Sequence, residues 1–138
     1  MAEPDETQPV SVFAAVGGQV FFDRLCARFY AGVADDPVLR PLYPDDLADA
    51  ERCLALFLGQ YWGGPTAYGE ERGHPRLRMR HAPFAIGPAE RDSWYRHMSG
   101  VTRAEVAALD HLEPDLQAAV QARFLDYFAT AADHMINT

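Results

Sequence analysis

Five histidines, at positions 74, 81, 97, 111 and 134, together with Tyr30, Tyr43 and Trp94, are the side chains of this sequence best equipped for chemistry. A neutral imidazole ligates metals or moves protons near neutral pH, while phenol and indole carry hydrogen-bond donors on large apolar bodies. A zinc centre draws three or four His, Cys or carboxylate ligands at tight local spacing. Here Cys26 and Cys53 stand in earlier segments, away from every histidine. The Gly-x-x-x-x-Gly-Lys-Ser/Thr loop, the Gly-x-Ser-x-Gly elbow and the His-Glu-x-x-His pair are all missing, which removes the common nucleotide-binding, esterase and zinc-protease arrangements.

His81 lies in Leu77-Arg78-Met79-Arg80-His81-Ala82-Pro83-Phe84, where apolar residues alternate with arginines just before a helix-breaking proline. Two readings fit. It ligates a metal that keeps an open coordination position, or it is a satisfied, half-buried histidine near a helix end, which spacing alone favours. Tyr30, Tyr43 and Trp94 fall where an apolar stripe or a turn would bury them, so their O–H and N–H groups need partners. Those partners are nearby backbone groups or a bound polar ligand, and periodicity does not separate the two.

The elements that must position these groups read as helices. Ser11 is placed to cap a short helix through Val16, which Gly17-Gly18 ends. Phe22, Cys26, Phe29, Tyr30 and Val33 form one apolar stripe of a first long helix closed by Asp35-Asp36-Pro37. Prolines 37, 41 and 44 leave room only for a tight turn or a single helical turn, with Tyr43 at the rim of the next helix. From Asp46, the positions Leu47, Ala50, Leu54, Phe57, Leu58 and Tyr61 make a second stripe, stopped by Gly63-Gly64-Pro65. Residues 66–75 have no period and read as a surface loop; 76–81 read as a brief helix before Pro83. Gly87-Pro88 opens a third long helix carrying Trp94, Met98 and Val101, with Glu90 near its positive end. A last helix from Pro114 runs through Leu116, Val120, Phe124, Phe128 and Met135. No strand alternation is present, and the fold class is all-α.

Length and charge bound the rest. With 138 residues the chain suits one domain; a flexible lead over 1–10 and a folded domain over 11–138 are expected. A formal charge of −8 repels a phosphate backbone, so nucleic acid is not expected as a partner. No run approaches the roughly 18 apolar residues of a membrane span, and residues 1–9 lack the marks of a secretory signal. A cytoplasmic protein with two free thiols is therefore expected. Apolar residues expected to be exposed on the first and third long helices suggest a homodimer.

Read as a whole, the chain resembles the truncated haemoglobins, and within them the Trp- and Tyr-rich group II. The likeness runs from about Phe13 to Met98, through Gly17-Gly18, Phe29-Tyr30, Asp36-Pro37-Val38-Leu39-Arg40, Tyr43-Pro44, Gln60-Tyr61-Trp62-Gly63-Gly64-Pro65, the segment from Arg72 to Phe84, and Glu90-Arg91-Asp92-Ser93-Trp94. It implies a two-over-two helical sandwich in which the helix carrying the proximal histidine has shrunk to a loop and one turn. It also implies haem b, with His81 as the iron ligand. Tyr30, Tyr43 and Trp94 would stand on the distal side, and Ala50, Leu54 and Phe57 would line the pocket. Cys53 departs from the pattern, since relatives often carry an arginine there; Arg80 and Tyr68 are then the candidates for the propionate side.

The resemblance further implies binding of O₂, with CO and NO as related ligands. Slow release follows if several donors face the ligand, which suits sensing, scavenging or redox chemistry. A peroxidase-like, NO- or sulfide-handling enzyme fed by a reductase is the alternative. A helical regulatory module that has lost haem is the non-enzymatic competitor.

Overall fold

The computed structural model describes residues 11–72 and 85–137. The lead over 1–10, the brief helix expected at 76–81, and with it Arg80 and His81, lie outside the described residues. Helix α1 (Val12–Ala15) is capped as its sequence suggests: the Ser11 hydroxyl oxygen accepts the Ala14 N–H at 3.1 Å. Gly17 and Gly18 then turn the chain at φ +101° and +85°, angles that a Cβ disfavours.

Helix α2 (Gln19–Ala34) buries Phe22, Cys26, Phe29, Tyr30 and Val33 as the stripe requires, and adds Phe21 and Leu25. A single 3₁₀ turn, Arg40–Leu42, occupies the proline-rich stretch. Helix α3 (Ala48–Tyr61) starts two residues after Asp46, whose carboxylate accepts the Ala48 N–H at 2.9 Å.

The expected surface loop over 66–75 instead contains a helix, α4 (Ala67–Arg72). Gln60 of α3 accepts the Gly69 N–H at 2.8 Å, and Tyr68 is pressed into the core at 5 % exposure. A six-residue helix anchored by one side chain has no repeat to detect, so tertiary contact supplies what periodicity lacks.

Helix α5 (Pro88–Ala107) opens with proline in its first turn, and Glu90 reaches back to accept the Gly87 N–H at 2.8 Å. Helix α6 (Pro114–Met135) buries Val120, Phe124, Phe128 and Ala132. The pair α2/α3 packs against the pair α5/α6, principally through α2 on α5, which is the two-over-two truncated globin fold. Phe124 holds the centre, stacked on Phe21 at 5.6 Å and edge-on to Phe22 at 6.0 Å. At the far end, Asn137 donates its N–H to the Ile86 carbonyl and accepts the Ile86 N–H on its side chain. These bonds tie the end of α6 to the entry of α5.

Two stripe positions turn outward. Tyr61 and Leu116 are exposed, each near an end of its helix, although Tyr61 keeps its ring against Tyr127 at 4.3 Å. The exposed large apolar side chains are these two with Val20 and Val38, and none lies on α5. The apolar residues that the third long helix does expose are small, among them Ala89 and Ala107. Of the cysteines, Cys26 is buried and Cys53 half-buried, and neither is in a disulfide. No described helix is long and apolar enough to cross a membrane.

Gly63 supports the junction between α3 and α4 at φ +107°, where a Cβ would stand 2.7 Å from the Ser11 Cβ. Gly63→Ala is expected to cost about 1–3 kcal/mol in urea unfolding, with helix content retained. An unchanged midpoint would show that the turn relaxes freely.

Candidate functional site

A cavity of about 430 Å³ opens between α3, α5, α6 and the turn after α2, within the size range of pockets that hold cofactors and drug-sized ligands. Helix α3 contributes Ala50, Cys53, Leu54 and Phe57, at steps of three and four that set them on one face. Tyr68 of α4 closes one side, edge-on to Phe57 at 5.4 Å. Tyr30 enters from α2, Tyr43 from the turn and Trp94 from α5.

The sequence-derived residues Tyr30, Tyr43, Ala50, Leu54, Phe57, Tyr68 and Trp94 therefore share one cavity, although they come from five segments. His81 and Arg80, the remaining two, lie outside the described residues. Apolar and aromatic carbon dominates the walls, with polar groups confined to a few tips.

Three of those tips form a network. Tyr30 and Tyr43 meet edge to face at 5.5 Å, and Trp94 packs against Phe29 and Phe128 at 5.6 and 6.0 Å. Tyr30 and Trp94 flank the Tyr43 phenol, and as donor groups both favour its ionised form. Burial pushes the Tyr43 phenol up to about 12, against the lowering effect of those two donors. Burial raises Tyr30 further still, reinforced by the neighbouring Tyr43. Both phenols are thus neutral donors near pH 7. Tyr43 therefore has a proton to offer to a ligand in the cavity.

Several lining residues escape sequence reasoning. Leu39 and Leu42 come from the turn, Ile86 from the entry to α5, and Ala131 and Met135 from the end of α6. Their apolar character marks them as buried without telling against what. Arg91 is the sharper omission, because it brings a guanidinium to the lining. Asp133 holds it at 2.7 Å, and it lies 5.0 Å from the Tyr95 ring centre. Its place one turn before Trp94 was the available signal.

An all-helical chain wrapped around a mostly apolar cavity, with neutral donors converging at one point, defines a binder of a flat apolar cofactor or a small ligand. Residues 11–131 match the bacterial-like globins, and the chain belongs to that family. Its likeness to the group II truncated haemoglobins is specific. It is 37% identical over 120 residues to the group 2 truncated hemoglobin YjbI of Bacillus subtilis (strain 168), covering 87% of this chain and 84% of the relative. The thermostable hemoglobin of the actinobacterium Thermobifida fusca superposes with a TM-score of 0.81 at 51% identity, covering 94% of this chain and 98% of that one. The truncated oxygen-avid haemoglobin of Bacillus subtilis superposes with a TM-score of 0.79 at 34% identity, over 93% of this chain and all of the other. Globin membership implies a haem protein that binds diatomic ligands such as O₂.

Proposed function

We propose that the chain holds one haem b in this cavity, ligated by His81, and retains O₂ with slow release, in a sensing, scavenging or redox role. The observation that carries this reading is the convergence of Tyr30 and Trp94 on Tyr43 at a single point of the cavity wall. The walls suit the group: Leu54, Phe57, Phe128 and Met135 offer apolar surface to a macrocycle. Tyr68 and Arg91 offer a phenol and a cation to its carboxylates, with Arg80 a further candidate for them.

Haem iron, when bound, supplies a coordination position at which O₂ and related diatomic gases attach. The chain's own residues do the rest. The α3 face around Ala50 and Leu54 excludes water, and the small side chain of Ala50 leaves room for a ligand to enter. Trp94 and Tyr30, as donor groups beside the Tyr43 phenol, favour turning its proton toward an acceptor in the cavity. A preset donor needs no reorganisation when a partly negative ligand atom arrives.

Haemin titration of the purified chain tests the reading: a saturating Soret band at one equivalent, and a CO-shifted band after dithionite, are expected. The absence of any Soret band would favour the haem-free helical module. Because both phenols titrate well above neutrality, their donors are present below those values and lost only as pH rises through them. The O₂ release rate is accordingly expected to stay flat from about pH 6 to about pH 9 in stopped-flow measurements. A rise in that interval would show a phenol ionising early.

A further inference from the structure

Where α2 ends, the chain buries a carboxylate that takes no part in lining the cavity. Asp36 is 6 % exposed, and both of its oxygens are engaged. Oδ1 accepts the backbone N–H groups of Val38 at 2.7 Å and Leu39 at 3.1 Å. Oδ2 meets the Ser93 hydroxyl at 2.7 Å, the Arg96 guanidinium at 3.2 Å and Nε2 of His97 at 2.7 Å. The first set of donors belongs to the turn that carries Tyr43. The second belongs to α5, and Ser93 immediately precedes Trp94.

The rest of the turn is held as firmly. The Arg40 guanidinium donates to the carbonyls of Tyr43, Pro44 and Asp45 at 3.2, 2.9 and 2.8 Å. On the other side, Gly32 of α2 allows His97 to come close; a Cβ there would stand 2.7 Å from the imidazole Nδ1. The Ser93 hydroxyl above all, with His97 and the two backbone N–H groups, outweighs burial and holds the Asp36 carboxyl well below the usual carboxylate range.

We propose that Asp36 is a positioning residue for the distal donors: one carboxylate sets the separation of the Tyr43 turn from the Trp94 helix, and through it the time a ligand is retained. This rests on the haem reading given above. A carboxylate is the suitable group because it accepts several donors at once, and charge-assisted bonds are stronger than neutral ones. Left partly unpaired it would carry a heavy desolvation cost, so the network favours a single arrangement of the two segments.

The test is Asp36→Asn, which keeps an acceptor for Val38 and Leu39 but turns an amide toward Arg96 and His97. O₂ dissociation about tenfold faster is expected. The C–O stretching frequency of the carbon monoxide adduct should shift in the direction that Tyr43→Phe gives. In a chain that already carries Tyr43→Phe and Trp94→Phe, Asp36→Asn should add nothing. An unchanged release rate, or the same acceleration in both backgrounds, overturns the proposal. Ser93→Ala removes one donor and leaves the charge partners in place; it should act in the same direction with a smaller effect, and serves if Asp36→Asn does not fold.

In the haem-free chain, amide hydrogen exchange across residues 38–43 reads the tie by itself. Faster exchange in either variant supports it, and unchanged exchange overturns it. A failure of haem binding is therefore distinguishable from a failure of the tie.

Discussion

Tyr43→Phe combined with Trp94→Phe is expected to release O₂ about a hundredfold faster than the unaltered chain. The two substitutions together remove about 3 kcal/mol of retention, which corresponds to about a hundredfold in rate. The three polar tips do not act in parallel, however. Tyr43 stands at the centre, flanked by Tyr30 and Trp94, so Tyr43→Phe alone should show most of the effect. Trp94→Phe alone should show less, since it removes an orienting contact and leaves the Tyr43 proton in place. Stopped-flow mixing of the O₂ complex with excess CO measures all three rates. An unchanged rate in the double variant would remove the network from any account of ligand retention.

His81→Ala should abolish the stoichiometric Soret band while far-ultraviolet circular dichroism retains its helical signal. The reason is a division of labour. The core is built on Phe22, Phe29, Phe124 and Phe128, all essentially inaccessible to solvent, and these rings pack on one another and on Phe21 and Trp94. The proposed haem site, in contrast, rests on one imidazole, and loss of that ligand would remove the directional bond that distinguishes haem from any flat apolar molecule. Free imidazole in the buffer should restore part of the band. A full-strength, unshifted band in the variant would pass the ligand role to another histidine.

Much of the scaffold was legible because its signals are local. Ser11 caps α1, glycines at 17 and 18 turn the chain, the prolines at 37, 41 and 44 confine the backbone to one 3₁₀ turn, and Pro88 with Glu90 opens α5. Each acts on groups within a few residues. The buried stripe of α2 is legible for a related reason, since a period of 3.6 residues assigns side chains to one face of a helix whatever covers it. Helix α4 was not legible, because it depends on Gln60 and on the burial of Tyr68. The outward turn of Tyr61 and Leu116 depends likewise on how the neighbouring helices pack.

The site divides along the same line. Tyr30, Tyr43 and Trp94 stood out by type, and with Ala50, Leu54, Phe57 and Tyr68 they line one cavity. Arg91 and the Asp36 network did not stand out, because a charged residue on a helix or in a turn reads as solvated until its partners are known.

The sequence by itself determined which chemical groups are present, which face of each helix carries them, and which family they resemble. Only the tertiary structure decided that Tyr30, Tyr43 and Trp94 meet at the wall of one cavity, and that Asp36 joins the two segments bearing Tyr43 and Trp94. The physical reason is one of scale. Periodicity places a side chain on a face several ångströms wide, whereas a hydrogen bond is made or lost over a few tenths of an ångström. That finer distance is set by how the helices cross.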